Sequence, residues 1–498
     1  MLAHGFAMFN FQISHDSIHE IVSTAQTYTW KIQLGRFLKP VYDTLFGKFP
    51  TIPLGNGFIA LIWLAFAGYL VADMLKLQKK RHIAIVCGIL TTNLTVIALS
   101  ATYTEDYGSN MLAVLFACFG CWLWNRGFNQ VNSLKRTQKC LLFSAIAGCI
   151  CASLALYQVY ISCFITLVLI LSILDLLDGK KCGDVWKADF IAAGAAVLGG
   201  ILYYAIFKLV CLITRISPVT GTYNSLSNLW TNQENILLRI YNTLKQVIRY
   251  FLRMPGGAYS DYVPMALSVL LILTGGITFL VLLIRGRQNK ISLGSLLTSL
   301  IFVAALPFAA NVSRLLSTYV HMLMLYAVAL IYLLVMMLAL KCTQATHKTH
   351  VEKLAMLLLC LTIFVNIQTA NVAYIKKNTQ QSATLSVMTR VIDKIEATED
   401  YEAGVTPVTF IGTPKAYLEE FEPFSSLSGV TGLGADSDIT YYNSYKNYFA
   451  AILRVDVNLV EEADIYTVVD AEQVEQMPTF PSQGSVQNLD GVVVVKFE

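Results

Sequence analysis

The chain has 498 residues, 55% of them hydrophobic and 14% charged, with a formal net charge of +4 and a mean hydropathy of +0.57. A soluble globular chain carries about a quarter of its residues as charged side chains, so this composition excludes an ordinary water-soluble protein and fits one whose main solvent is lipid. Its basic residues are scattered and form no stripe, which argues against a nucleic-acid partner.

The first apolar run, Met1 to Phe11, is too short to span a bilayer and has neither a basic leader nor a small-residue cleavage site. It reads as the last turns of a membrane helix that starts before this chain. In 17–47, Ile18, Ile21, Val22, Tyr28, Ile32, Phe37 and Leu38 recur at helical spacing, the pattern of an amphipathic helix on a membrane surface. Apolar runs then follow at about 57–75, 83–101, 111–125, 140–156, 159–177, 188–213, 263–284, 291–310, 315–340 and 354–370. In hydrocarbon each backbone group must be satisfied within its own segment, so these runs are predicted to be helices. A second amphipathic helix is expected over 233–253, with Ile236, Leu237, Ile240, Leu244, Val247, Ile248 and Phe251 apolar and Arg239, Lys245, Arg249 and Arg253 elsewhere.

After 371 the composition changes. A helix is expected over 380–398, a tyrosine-rich helix over 438–453, and strands at Val405–Gly412, Ile465–Asp470 and Gly491–Phe497. Gly432-Leu433-Gly434 reads as an ordinary loop. The expected fold class is a membrane all-α polytopic bundle of about 10–11 transmembrane helices with a small C-terminal extracytoplasmic α/β domain. The expected domains are a core of 1–370, with outer loops 12–56 and 214–262, and a unit of 371–498.

The loops alternate in charge. Lys76, Lys79, Lys80 and Arg81, then Arg126, Lys135, Arg136 and Lys139, then Lys180, Lys181 and Lys187, then Arg285, Arg287 and Lys290, then Lys341, Lys348 and Lys353 form the basic set. The other set includes Tyr103-Thr104-Glu105-Asp106-Tyr107, which holds no basic residue, the two-residue link at Tyr157 and a short turn at Asn311. The positive-inside rule makes the first set cytoplasmic and puts 12–56, 214–262 and the tail outside, in a multi-pass protein of the cytoplasmic membrane. Of eleven cysteines none follows Cys360, so no disulfide is expected in the tail. Cys118 and Cys121 have C-x-x-C spacing, but inside an apolar run they read as packing residues.

The outer loops carry the candidate chemistry. His15-Asp16-Ser17 puts a carboxylate where a membrane helix meets water, a place for a general base. The competing reading is that Asp16 N-caps the helix that follows. Arg36 and Lys39, with Lys31, are cations suited to a phosphate leaving group, or else interfacial anchors. Glu105 and Asp106 form a second outer acidic point, catalytic or merely solvated. Tyr157 and Gln158 at a hairpin tip suit a sugar hydroxyl or an aromatic belt. Arg249 and Arg253 have the same two readings as Arg36, and His321 is an ionisable group at the end of an apolar run, for packing or for substrate. No metal-ligand spacing is recognisable, so neither a metal nor another cofactor is expected.

Phe9-Asn10-Phe11 before His15-Asp16-Ser17, then Trp30-Lys31-Ile32, Leu34-Gly35-Arg36-Phe37 and Pro40-Val41-Tyr42, resemble the opening outer loop of the bacterial Gtr-type, O-antigen-modifying membrane glucosyltransferases. The likeness continues through Thr104-Glu105-Asp106, Ser153 to Gln158, Arg314 to Met322, Met477 to Pro481 and Gly484-Ser485-Val486. The resemblance implies a GT-C architecture with its active site on the outer face. It implies inverting transfer of a hexose, glucose above all, from a polyprenyl-phosphate donor to a surface polysaccharide. Asp16 would be the base, with Glu105 and Asp106 beside it. Family members start with a full transmembrane helix, and the run Met1 to Phe11 is expected to be the end of one. Two other classes share the polytopic pattern: a polysaccharide polymerase or ligase, relying on outer arginines and histidines, and a lipid or solute transporter, needing no outer carboxylate.

Overall fold

The computed structural model describes residues 1–46, 53–130, 135–220, 234–252, 262–288, 291–317, 319–419 and 437–498. Arg253 and Gly432-Leu433-Gly434 lie outside the described residues. Four short helices come first: α1 (Gly5–Phe9), α2 (His15–Val22), α3 (Thr24–Gln33) and α4 (Leu38–Phe46). The expected single amphipathic helix over 17–47 is thus three. Ser23 leaves helical geometry with φ −137° and ψ 57°, and Gly35 turns the chain with φ +81°, a region that favours glycine.

Among the described residues nine helices are long and apolar enough to cross a membrane. They are α5 (Pro53–Met74), α8 (Thr104–Trp124, extended by a π-turn to Asn129), α9 (Arg136–Leu156), α10 (Ile161–Leu177), α11 (Cys182–Thr214), α13 (Tyr262–Gln288), α14 (Leu293–Ala310), α16 (Tyr326–Thr346) and α17 (His350–Glu396). The pair α6 (Lys80–Thr92) and α7 (Leu94–Thr102) makes a tenth span, bent by 41°. Asn93 sits at the bend: its Nδ2 donates to the Ile89 and Leu90 carbonyls at 3.1 and 3.0 Å, and its Oδ1 accepts from Val96 N at 3.2 Å. One side chain thereby closes one helix and opens the next.

The apolar run at 315–340 differs from its expected span. After the short α15 (Val312–Leu316) the chain is irregular, with one 3-10 turn at Met322–Met324, and helix resumes only at Tyr326. Polar anchors hold the break open: Arg314 forks onto Glu234 at 2.8 and 2.9 Å, and Thr95 Oγ1 donates to the Met322 carbonyl at 3.0 Å. Glu234 precedes α12 (Ile236–Phe251), the second amphipathic helix, whose Leu237, Ile240, Leu244 and Ile248 are exposed while Val247 and Phe251 are buried. At the opposite ends of the helices the basic loops are tied by Arg126 to Asp73 at 2.8 Å and Arg81 to Glu352 at 2.9 Å.

α17 is 47 residues long and runs without a break through residue 370. At about 1.5 Å per residue it is far longer than a bilayer core needs. Its last turns bury Val387, Met388, Val391 and Ile395 against a small sheet. The sheet order is β2 (Asn458–Leu459), β1 (Pro407–Ile411), β4 (Val492–Lys496), β3 (Val486–Leu489), with β1 parallel to both neighbours and β3 antiparallel to β4. The strand expected at Ile465–Asp470 is instead a helical turn, Ile465–Val468. The sheet edge beside β1 is taken by Asn458–Leu459. The tyrosine-rich helix is shorter than expected: α18 (Ser444–Tyr448) passes into a π-turn, Phe449–Leu453. Its rings pack on the sheet, Tyr445 stacking on Phe410 with centroids 3.9 Å apart.

Candidate active site

Helix α2 begins at a capping box. Ser14 and Ser17 bond reciprocally, with Ser17 N donating to Ser14 Oγ at 3.4 Å. Ser14 is therefore the N-cap and Asp16 is not, which removes the capping explanation for that carboxylate. Asp16 sits in the first turn, where the helix dipole favours its charge. His19 and Glu20 lie three and four residues on, over the same face. This face borders a cavity of about 350 Å3.

The cavity lies where several helix ends of one side of the bundle meet. Asp16, His19 and Glu20 come from α2, and Thr27, Trp30 and Lys31 from α3. The turn after α3 adds Leu34 and Arg36. The end of α7 and start of α8 supply Leu99, Tyr103, Glu105, Asp106 and Asn110; Tyr157 comes from the α9–α10 tip, and His321, Leu323 and Met324 from the irregular stretch before α16. Tyr441 from the C-terminal layer completes the wall.

Under the cavity is a buried charge network. Lys31 Nζ donates to Asp106 Oδ2 at 2.5 Å. Lys39 Nζ donates to both Asp43 oxygens, at 2.7 and 2.6 Å, and lies 3.5 Å from Asp106 Oδ1. Ser17 Oγ donates to Glu105 Oε2 at 2.7 Å. Burial works against the Lys39 ammonium, yet Asp106, Asp43 and Glu20 together hold it above the ordinary lysine range. Burial pushes the Asp43 carboxyl up, against the pull of Lys39.

Glu20 differs from the other carboxylates. It is 2% exposed, its Oε1 has no hydrogen-bond partner, and it borders the cavity. Burial pushes its carboxyl up to about 7, with Lys39 and Lys31 pulling the other way. A carboxyl that titrates near neutrality at a cavity wall suits general acid–base work. Asp16, one turn nearer the water, has a side chain 47% exposed, and His15 Nε2 lies 3.4 Å from its Oδ1.

The basic wall is shaped by one turn. Gly35 lets the chain reverse, and the Arg36 guanidinium lands over the Tyr157 ring, 4.1 Å from its centroid. Gln158 Nε2 holds this turn by donating to the Leu34 carbonyl at 2.7 Å and contacting the Tyr203 hydroxyl at 2.8 Å. The Nε of Arg36 is buried with no hydrogen-bond partner.

Seven of the residues singled out in the sequence thus border one cavity: Asp16, Lys31, Arg36, Glu105, Asp106, Tyr157 and His321. His15, Lys39 and Gln158 support it from behind or from the side. Arg249 is exposed on α12 and is not among the lining residues. Glu20, His19, Trp30 and Tyr441 were not picked out as site residues. The Asp16-His19-Glu20 spacing was a readable signal for two of them; Tyr441 is more than 400 positions from α2 and had none.

The family model described as Glucosyl transferase GtrII matches residues 5–332. No curated protein and no solved structure matches the chain. The matched stretch contains every lining residue of the cavity except Tyr441.

Proposed function

The chain belongs to the glucosyl transferase GtrII family, and from that premise we propose that it moves glucose from a polyprenyl-phosphate donor to a cell-surface polysaccharide, with inversion, on the outer face of the cytoplasmic membrane. The observation that carries this reading is one cavity at the membrane-helix ends lined by the Glu20 carboxyl together with the Arg36 and Lys31 cations. Inverting transfer needs a base on the acceptor side and charge stabilisation on the leaving-group side.

The acceptor hydroxyl oxygen attacks the anomeric carbon, and its proton passes to Glu20. The bond from the anomeric carbon to the phosphate oxygen breaks, and that oxygen keeps the electron pair. Polyprenyl phosphate leaves with one more negative charge, which Arg36 and Lys31 neutralise. Asp16, at the mouth, takes a hydrogen bond from the incoming sugar, and Asp106 and Glu105 fix Lys31 and α2 in place. A lipid-borne donor reaches this level from the bilayer itself. The basic residues of the opposite loops support an orientation with the cavity outward.

The test is reconstitution in liposomes with polyprenyl-phosphate glucose or UDP-glucose as donor. Glucose release or transfer is expected from the lipid phosphate alone. Equal use of UDP-glucose would contradict the donor class.

A further inference from the structure

We infer that Tyr441 of the C-terminal layer, with Asp16 and Trp30, forms the subsite that receives the acceptor sugar; this rests on the transfer reading above. The segment that carries Tyr441 is anchored from both sides. Asp438 accepts from Lys377 of α17 at 2.7 Å, a pair almost wholly buried. Ile439 is buried in the layer's own core, and the Tyr442 hydroxyl lies 3.0 Å from Thr409 Oγ1 of β1. Asn447 Nδ2 is 3.1 Å from His19 Nδ1, which ties the following helix α18 to α2.

With 438, 439 and 442 turned inward, Tyr441 is the residue left facing the cavity. It is 44% exposed, and its ring meets His15 edge-on at 5.5 Å. Trp30, 40% exposed, borders the same cavity from α3. The two rings are thus half open on the wall of one cavity that Asp16 also lines. A hexose offers the matching chemistry. Its axial C–H bonds form an apolar face for an aromatic ring, and its equatorial hydroxyls donate to a carboxylate such as Asp16. The acceptor is thus gripped by the C-terminal layer and the membrane core at once.

The experiment compares Tyr441→Ala and Tyr441→Phe with the native protein in two assays. The first is calorimetric titration with oligosaccharides released by mild acid from the surface polysaccharide of the source cells, without donor. The second is steady-state transfer from polyprenyl-phosphate glucose. Tyr441→Ala is expected to weaken oligosaccharide binding, raise the acceptor KM about tenfold or more, and reduce transfer far more than it reduces hydrolysis of donor by water. Tyr441→Phe, which keeps the ring, is expected to behave as native. Unchanged oligosaccharide affinity in Tyr441→Ala overturns the subsite. So does an equal loss of hydrolysis and transfer, because it marks a merely structural residue. If the native protein binds oligosaccharide through Tyr441 but does not use the lipid donor, the subsite stands and the donor assignment falls.

Discussion

Glu20 carries a carboxyl that burial lifts from 4.5 to about 7, and that gives its chemistry a pH sign. A general base works as the carboxylate, so kcat/KM is expected to rise as pH passes through about 7 and to be low near pH 5. Stability runs the other way. Folding raises this pKa, so the Glu20 contribution to stability is fully present below 4.5 and is lost as pH rises through about 7. Glu20→Gln is therefore expected to be more stable than the native protein at pH 8, by on the order of a few kcal/mol, and so to melt at a higher temperature. A pH series of rates and melting temperatures checks both signs. Part of the site is legible in the residues themselves: Asp16, Arg36, Glu105, Asp106 and Tyr157 stand in loops between apolar runs and His321 at the end of one, while Glu20 carries no such signal. Depth was not legible. Asp16 and Glu20 share a helix face, and only packing makes one half-exposed and the other buried.

At the scale of elements, α4 brings Lys39 and Asp43 under the cavity, and its seat on α8 depends on a missing side chain. A Cβ on Gly108 would lie 2.2 Å from the Tyr42 hydroxyl, whereas a Cβ on Gly148 would meet nothing within 4 Å. Gly108→Ala has to displace Tyr42 or the helix that carries it, and overpacking of this kind costs about 1–3 kcal/mol. Gly108→Ala is expected to lower the melting temperature and to reduce transfer, while Gly148→Ala is neutral in both; thermal unfolding and initial rates check this. The stretch 17–47 shows how far periodicity reaches. Its apolar spacing correctly identified helix. It did not mark the breaks at Ser23 and Gly35, because a break costs the apolar face nothing. The span beginning at Tyr326 was misplaced for a related reason: hydropathy over 315–325 is high enough for membrane, but Arg314, Glu234 and Thr95 hold that backbone outside a helix.

For the whole molecule, length and hydropathy placed ten apolar runs close to where the spans lie, because the demand of hydrocarbon on the backbone leaves only helices. The C-terminal layer was less legible. Its strands β1 and β4 were read from β-branched runs, but β2 and β3 are short and polar, and their pairing is set by α17 and the tyrosine-rich segment. The same α17 links the membrane core to the C-terminal layer, and Lys377 on it fixes Asp438 and hence the segment that bears Tyr441.

The central claim is that transfer occurs in the cavity of α2 and α3 with Glu20 as base. Its most direct measurement is glucose transfer from polyprenyl-phosphate glucose by proteoliposomes holding the native protein, Glu20→Gln or Asp16→Asn at matched amounts of folded protein. Glu20→Gln is expected to lose about a hundredfold or more in kcat with little change in donor KM, and Asp16→Asn to lose less and mainly through the acceptor KM. A Glu20→Gln protein that transfers at the native rate would contradict the claim.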